Sequence, residues 1–325
     1  MNRVSNQLLN KRRIYVVSSP RSGSTWLGNT LAANPAVLGS HEPDIVYRGS
    51  LPHLITEQPS QDQIGEAKRY MDALVLQRAA RTVSRPKRGR KAFRSAIANA
   101  VWHPLAFGLK AASTMTDKLG VALNIPLVIS DYDQLDAIVI KSVSILGRSP
   151  LLTAALRPED RVIHIIRNPY AVIASALTGA KLNKMAPPKA FHDWDQLPLA
   201  IKNGWTLDQM RSRSPAEIAA IGWAGFNDVA LKAFEASDQA LTVHHEKLVA
   251  AEPQTIAALK KHTALDVDIT PAKEQAGDGA SRYYSLEKDR ETVLHGWQKS
   301  LSSDQVTAIN NVITGTRSAS LYGIA

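Results

Sequence analysis

Two short stretches carry residue types that bind and stabilise anions. The first, PRSGSTWL at residues 20–27, follows the β-branched run Ile14–Val17 and opens a helical pattern, Ser24–Ala33. A strand that ends in a small-residue turn before a helix presents unpaired backbone N–H groups and the positive end of the helix dipole. Gly23 permits close backbone approach, and Ser22, Ser24 and Thr25 add hydroxyl donors. Arg21 adds a planar fork of donors suited to phosphate or sulfate oxygens. The second stretch, RVIHIIRNPYAVIASAL at 161–177, ends a buried-strand pattern at Arg167 and places Ser175 eight residues on. Two helical turns bring that serine back to the arginine's side, so both can converge on one anion at a sheet edge.

Groups able to move a proton lie elsewhere. LGSHEPD at 38–44 offers His41 and Glu42, and AIVIKSVSIL at 137–146 carries Lys141 inside a strand-like run. A carboxylate within reach of a hydroxyl acts as general base when partial burial brings its pKa toward neutrality, and a histidine is the alternative. The nine histidines show no ligand spacing beyond the adjacent His244–His245, so no metal is expected.

The elements that must position these residues are legible. Ile14–Val17, Ala137–Ile140, Arg161–Ile166 and Ala240–Val243 are short, Val/Ile-rich and nearly continuous, the pattern of parallel strands covered on both faces. Helical patterns lie at Ser24–Ala33, Gln61–Thr82, Pro169–Leu177, Ala216–Ala236, Pro253–His262 and Ser302–Ile313. The alternation predicts an α/β fold: a single P-loop-like, doubly wound domain over 1–325, its central parallel sheet flanked by helices. Residues 44–130 read as a mostly helical insertion, and KLNKMAPPKAFHDWDQLP at 181–198 as a mobile loop or lid.

Composition narrows the partners. The chain has 325 residues, 44% of them hydrophobic, which suits an ordinary globular protein. It has no cysteine, which excludes disulfides and thiol nucleophiles and fits a cytoplasmic location. No apolar run reaches the length of a membrane span. Its formal charge of +10 anticipates anionic partners. Arg78, Arg81, Arg85, Lys87, Arg88, Arg90, Lys91 and Arg94 form a basic segment, read as a solvated loop that offers peripheral contact with an acidic glycan, lipid headgroup or membrane. Trp102, Trp194 and Trp205 are candidates to stack on a sugar. Nucleic acid is not the expected partner, although an anion- or nucleic-acid-binding module built on the basic segment is the non-enzymatic alternative. A kinase-like phosphotransferase would need a lysine-bearing phosphate loop, which PRSGSTWL does not supply. The oligomeric state is not legible.

PRSGSTWL resembles the 5′-phosphosulfate loop of sulfotransferases that use 3′-phosphoadenosine-5′-phosphosulfate (PAPS), and RVIHIIRNPYAVIASAL resembles their 3′-phosphate motif. The resemblance implies transfer of a sulfuryl group to a hydroxyl, with 3′-phosphoadenosine-5′-phosphate (PAP) as product and no metal. It implies donor binding by Arg21, Ser22, Gly23, Ser24 and Thr25, by Arg167 and Ser175, and an adenine-stacking role for Trp26. HHEKLVAAEP is similar to the family's Tyr-Glu-Asp-Leu segment, with His245 in the tyrosine's place. RETVLHGWQKSL resembles the loop that adds an arginine to the 3′-phosphate, here Arg290 without the usual Lys-Gly after it. AIVIKSVSIL resembles the strand that ends in Lys-Thr-His in cytosolic-type members; Lys141 keeps the lysine, and Val143 replaces the catalytic histidine. The base therefore comes from elsewhere: Glu42 stands where Golgi-type and tyrosylprotein relatives carry theirs, with His41 the alternative. The pattern is closest to Golgi-type and bacterial carbohydrate sulfotransferases, so a glycan or glycolipid hydroxyl is preferred over a small alcohol, phenol or acyl hydroxyl.

Overall fold

The computed structural model describes residues 3–82, 89–116, 123–126, 128–269 and 290–324. Five strands form one parallel sheet: β1 (Arg12–Ser18), β2 (Val37–His41), β3 (Ala137–Ser142), β4 (Arg161–Ile166) and β5 (Ala240–His244), in the order β2-β3-β1-β4-β5. The period-2 geometry of β1 divides its side chains between two cores. Ile14 and Val16 pack with Leu27, Leu31, Leu248 and Leu259 on one face. Tyr15 and Val17 pack with Leu74, Leu152 and Phe234 on the other. Each fully buried aliphatic side chain of this kind contributes about 1.5–3 kcal/mol. Helices thus cover both faces, the doubly wound α/β arrangement.

A third core lies among the helices Pro169–Lys181, Pro215–Phe234 and Ser303–Ile313. The 181–198 stretch expected as a mobile loop is irregular but anchored there, with Trp194 and Leu197 buried. Between β2 and β3 run the helices Pro43–Val46, Gln61–Leu76 and Ala96–Thr116, the last with Pro104 inside it.

The four strand-like runs are strands, and β2 is the one that sequence pattern missed. Its residues, VLGSH, are small or polar after Leu38, and only Val37 is buried. As an edge strand it needs no continuous apolar run. The order also explains where a ligand fits. From β1 the chain leaves toward β2, and from its neighbour β4 it leaves toward β5. Adjacent strands whose chains depart in opposite directions open a crevice at their carboxyl ends.

Candidate active site

Arg21 and Gly23 both adopt left-handed backbone conformations in the turn after β1, at φ 71° and 87°. The turn is braced by its own hydroxyls: Ser18 Oγ donates to Ser24 Oγ at 2.8 Å, and Ser19 Oγ and Ser22 Oγ lie 2.9 Å apart. Gly23 is required twice over. Its φ excludes most side chains, and a Cβ there would lie 2.1 Å from His245 Cδ2. His245 thus seats its imidazole on the turn's backbone. It is 6% exposed, and its Nδ1 has no hydrogen-bond partner. Burial, reinforced by the Arg167 charge, lowers its pKa to about 3, so the ring is neutral.

The loop after β4 meets this turn. Arg21 Nε donates to Ser175 Oγ at 2.9 Å, and Arg167 Nη1 donates to the Arg21 carbonyl at 2.9 Å. Residues of two motifs some 150 positions apart are therefore in direct contact. Arg167 Nη2 donates to the Val293 carbonyl at 2.8 Å, which ties in the helix Arg290–His295. The side chain of Arg290 itself lies outside the described residues, as do Arg85, Lys87 and Arg88 of the basic segment. Burial depresses the Arg167 pKa while Glu246 raises it, and Arg167 Nε is buried without a partner. Asn168 caps the following helix, accepting from Ala171 N at 3.2 Å, with Pro169 at the first turn.

Glu246 is a residue that sequence reasoning passed over. It accepts from Asn168 N at 2.8 Å and from the Tyr322 hydroxyl at 3.1 Å, fixing the loop that carries Arg167. Its signal was its place beside His245; Tyr322 had none. Trp26 is half-buried against the Ile14–Leu27 core, beside Leu241 and Ile256.

A second group sits at the ends of β2 and β3. His41 is in register with Lys141, and Glu42 N–H donates to the Lys141 carbonyl at 2.7 Å. Lys141 Nζ donates back to Glu42 Oε1, so one residue of β3 holds both the backbone and the carboxylate of Glu42. Glu42 is left-handed at φ 48°, a strained geometry for a residue with a side chain. Lys141 is 3% exposed; burial lowers its pKa and Glu42 raises it again. His41 Nε2 lies 3.8 Å from Glu42 Oε1. Burial and the Lys141 charge bring its pKa to about 4, so it is neutral near pH 7. Gly28, on the helix that follows the Arg21 turn, faces the Lys141 side chain, where an added Cβ would lie 3.3 Å from the Lys141 Cβ.

Asp44 is the other missed carboxylate. It accepts from Ser142 Oγ at 2.6 Å, its Oδ1 has no partner, and burial raises its pKa. Its position two residues after Glu42 was the available signal. Among the described residues no cluster of three or more His, Asp or Glu could hold a metal, and no helix is long and apolar enough to cross a membrane.

The arrangement joins a rigid, donor-rich anion crevice to a lysine-held carboxylate, which suits transfer of an oxyanion group to a deprotonated acceptor. A search of curated proteins returned no match. Similar solved structures include the sulfotransferase domain from the curacin biosynthetic pathway (15% identity over 93% of this chain and 97% of that one, TM-score 0.42). They include the sulfotransferase domain from the Synechococcus PCC 7002 olefin synthase (17%, 93% and 94%, TM-score 0.46). A sulfotransferase from Alicyclobacillus acidocaldarius is a third (13%, 93% and 96%, TM-score 0.38). A family model described as Sulfotransferase family matches residues 13–269. With that match running from the first strand to beyond the last, the chain belongs to the sulfotransferase family.

Proposed function

We propose that the protein transfers the sulfuryl group of PAPS to a hydroxyl, with the donor held between the loops after β1 and β4. The contact of Arg21 with Ser175, beside Arg167 on the Arg21 carbonyl, carries this reading. The 5′ and 3′ phosphates of the donor hang from one ribose ring, so side chains that reach each end must start from neighbouring points. The buried Arg167 Nε and His245 Nδ1, both without hydrogen-bond partners among the described residues, suit a polar ligand there. Arg21 and the N–H groups of Gly23 to Thr25 stabilise charge on the departing phosphate. An arginine stays protonated, so its part is electrostatic rather than that of a proton donor.

Glu42 is the base. It takes the acceptor's O–H proton as the acceptor oxygen bonds to sulfur, and the S–O bond to the 5′-phosphate breaks with its electron pair leaving on PAP. Lys141 occupies Oε1, which leaves Oε2 to face the acceptor. Lys141 is thus a positioning residue, and neutral His41 lines the same end of β2. We assign the chain a single domain, with residues 44–130 forming the acceptor side.

The expected sugar platforms are not favoured. Trp194 is buried beside Phe226, Trp102 lies under the Arg94 guanidinium, and Trp205 lies under that of Arg213. This favours the second reading, a small alcohol, phenol or acyl hydroxyl. The test is Glu42→Gln. It should lower turnover by about 10²–10⁴-fold, the span of general-base catalysis, while PAP still raises the melting temperature well above AMP or ATP. Wild-type turnover in that variant removes Glu42 as base; equal shifts from PAP, AMP and ATP remove the donor assignment.

A further inference from the structure

Against the edge strand β2 lies a cavity of about 70 Å³ whose lining includes three cationic side chains, Arg78, Lys91 and Arg94. By this measure one water needs on the order of 10–15 Å³, so the space takes a group of several heavy atoms. Lys91, 9% exposed, donates from Nζ to the carbonyls of Ala32 and Asn34, leaving one of its three protons for the cavity. Arg78 Nη1 donates to the Val75 and Gln77 carbonyls at 2.9 and 2.7 Å. The Arg94 guanidinium lies 3.8 Å from the centroid of the Trp102 ring, and its Nε donates to the Val128 carbonyl at 3.3 Å.

The donors these groups have engaged go to neutral carbonyls. Among the described residues no carboxylate lines the cavity, and no Asp or Glu is a charge partner of Arg78, Lys91 or Arg94. Burial lowers all three pKa values, that of Lys91 to about 8 with the Arg94 charge contributing. Buried charges are ordinarily paired, because removing them from water without a counter-charge is costly. Ser40 Oγ, on the same wall, is buried without a hydrogen-bond partner among the described residues. The rest of the wall mixes aliphatic side chains, Leu38, Val75, Ile125 and Ile138, with the neutral polar groups of Gln77 and Thr82 and with His103. Cations set among aliphatic side chains match an oxyanion carried on an apolar chain.

The strand places this cavity relative to Glu42. Gly39 and Ser40 of β2 line it, and Glu42 follows two to three residues on, about 7–10 Å at the rise of a strand. We propose that the cavity is the anion subsite for the acceptor: it takes a carboxylate or similar oxyanion joined by an apolar chain to a hydroxyl about 10 Å away, at Glu42. This rests on the reading of Glu42 as the base of a sulfotransferase.

The test uses 10-hydroxydecanoate, its methyl ester and inorganic phosphate, titrated calorimetrically into the full chain saturated with PAP. The acid should bind, the ester about tenfold more weakly or worse, and Arg78→Gln and Arg94→Gln should each weaken the acid by a similar factor. PAP affinity should be the same in both variants, and with PAPS the acid should be sulfated with a higher kcat/KM than the ester. Lys91 is left intact because it holds two main-chain carbonyls, and melting temperatures check that the variants fold. Equal binding of acid and ester, or wild-type binding of the acid by both variants, overturns the subsite. Inorganic phosphate binding as tightly as the acid also overturns it, in favour of a site for a free anion. The acid–ester comparison is repeated without PAP, so a failure of PAP to bind counts against the donor site alone.

Discussion

The crevice between β1 and β4 and the cavity against β2 are both rich in cations, and they are built in opposite ways. In the crevice, Arg21 and Arg167 brace the loops themselves, through Ser175, the Arg21 carbonyl and the Val293 carbonyl, and Glu246 acts on Arg167 from behind. In the cavity, Arg78, Lys91 and Arg94 are tethered to main-chain carbonyls and, among the described residues, meet no carboxylate. The first pattern holds a defined geometry before a ligand arrives; the second leaves net charge waiting for one. Preorganisation and uncompensated charge are separate ways to make an anion site, and they respond differently to substitution.

The largest expected contrast is in donor affinity. Arg167→Ala should weaken PAP by roughly 10–150-fold, since hydrogen bonds to charged groups are worth about 1.5–3 kcal/mol. Arg94→Gln should leave PAP within about twofold, because its side chain contacts Val128 and Trp102 and not the loops after β1 and β4. Direct titration decides; equal losses in the two variants would merge the regions into one site.

Next comes the backbone of the crevice. Gly23→Ala meets both the left-handed φ and the His245 ring, and should lower stability by about 1–3 kcal/mol. Adding His245→Ala should return only the steric part. A Gly23→Ala protein that melts with the wild type would show the turn to be more compliant than its contacts suggest.

The smallest effect is spread over pH. His41, His164 and His245 have folded-state pKa values of about 4, 4 and 3, all depressed chiefly by burial. Below the unfolded value near 6.5 the unfolded chain therefore binds protons that the native state refuses. Their contribution is present above that value and declines as pH falls toward 4, by up to about 1.4 kcal/mol per unit for each group. His245→Phe should flatten the slope of melting temperature between pH 6 and 5, and an unchanged slope would remove His245 from the account.

The crevice was legible in sequence because its chemistry follows short-range rules. Pro20, Arg21 and Gly23 end a β-branched run and start a helix, and Arg167, Asn168 and Pro169 do the same after β4. Glu42 was also accessible, since HEPD places it just past the first βα unit, but β2 beneath it was not. An edge strand reading Gly-Ser-His carries no hydrophobic signature. The cavity was illegible for a different reason. Arg78, Lys91 and Arg94 read as a solvated basic run, and burial comes from Trp102 on the next helix and from Ile125 and β2, which are distant in sequence. Tyr322 on Glu246 is illegible in the same way, a contact between residues 76 positions apart. Local pattern reports what a segment does to its own backbone, and long-range burial leaves no such trace.

The two-point mooring of Glu42 to Lys141 means that the carboxylate belongs mechanically to the sheet rather than to the segment that follows it. Exchanging residues 61–125 for those of a relative should therefore redirect acceptor choice without retuning the group that accepts the proton. Such a chimaera offers a natural starting scaffold for altered selectivity.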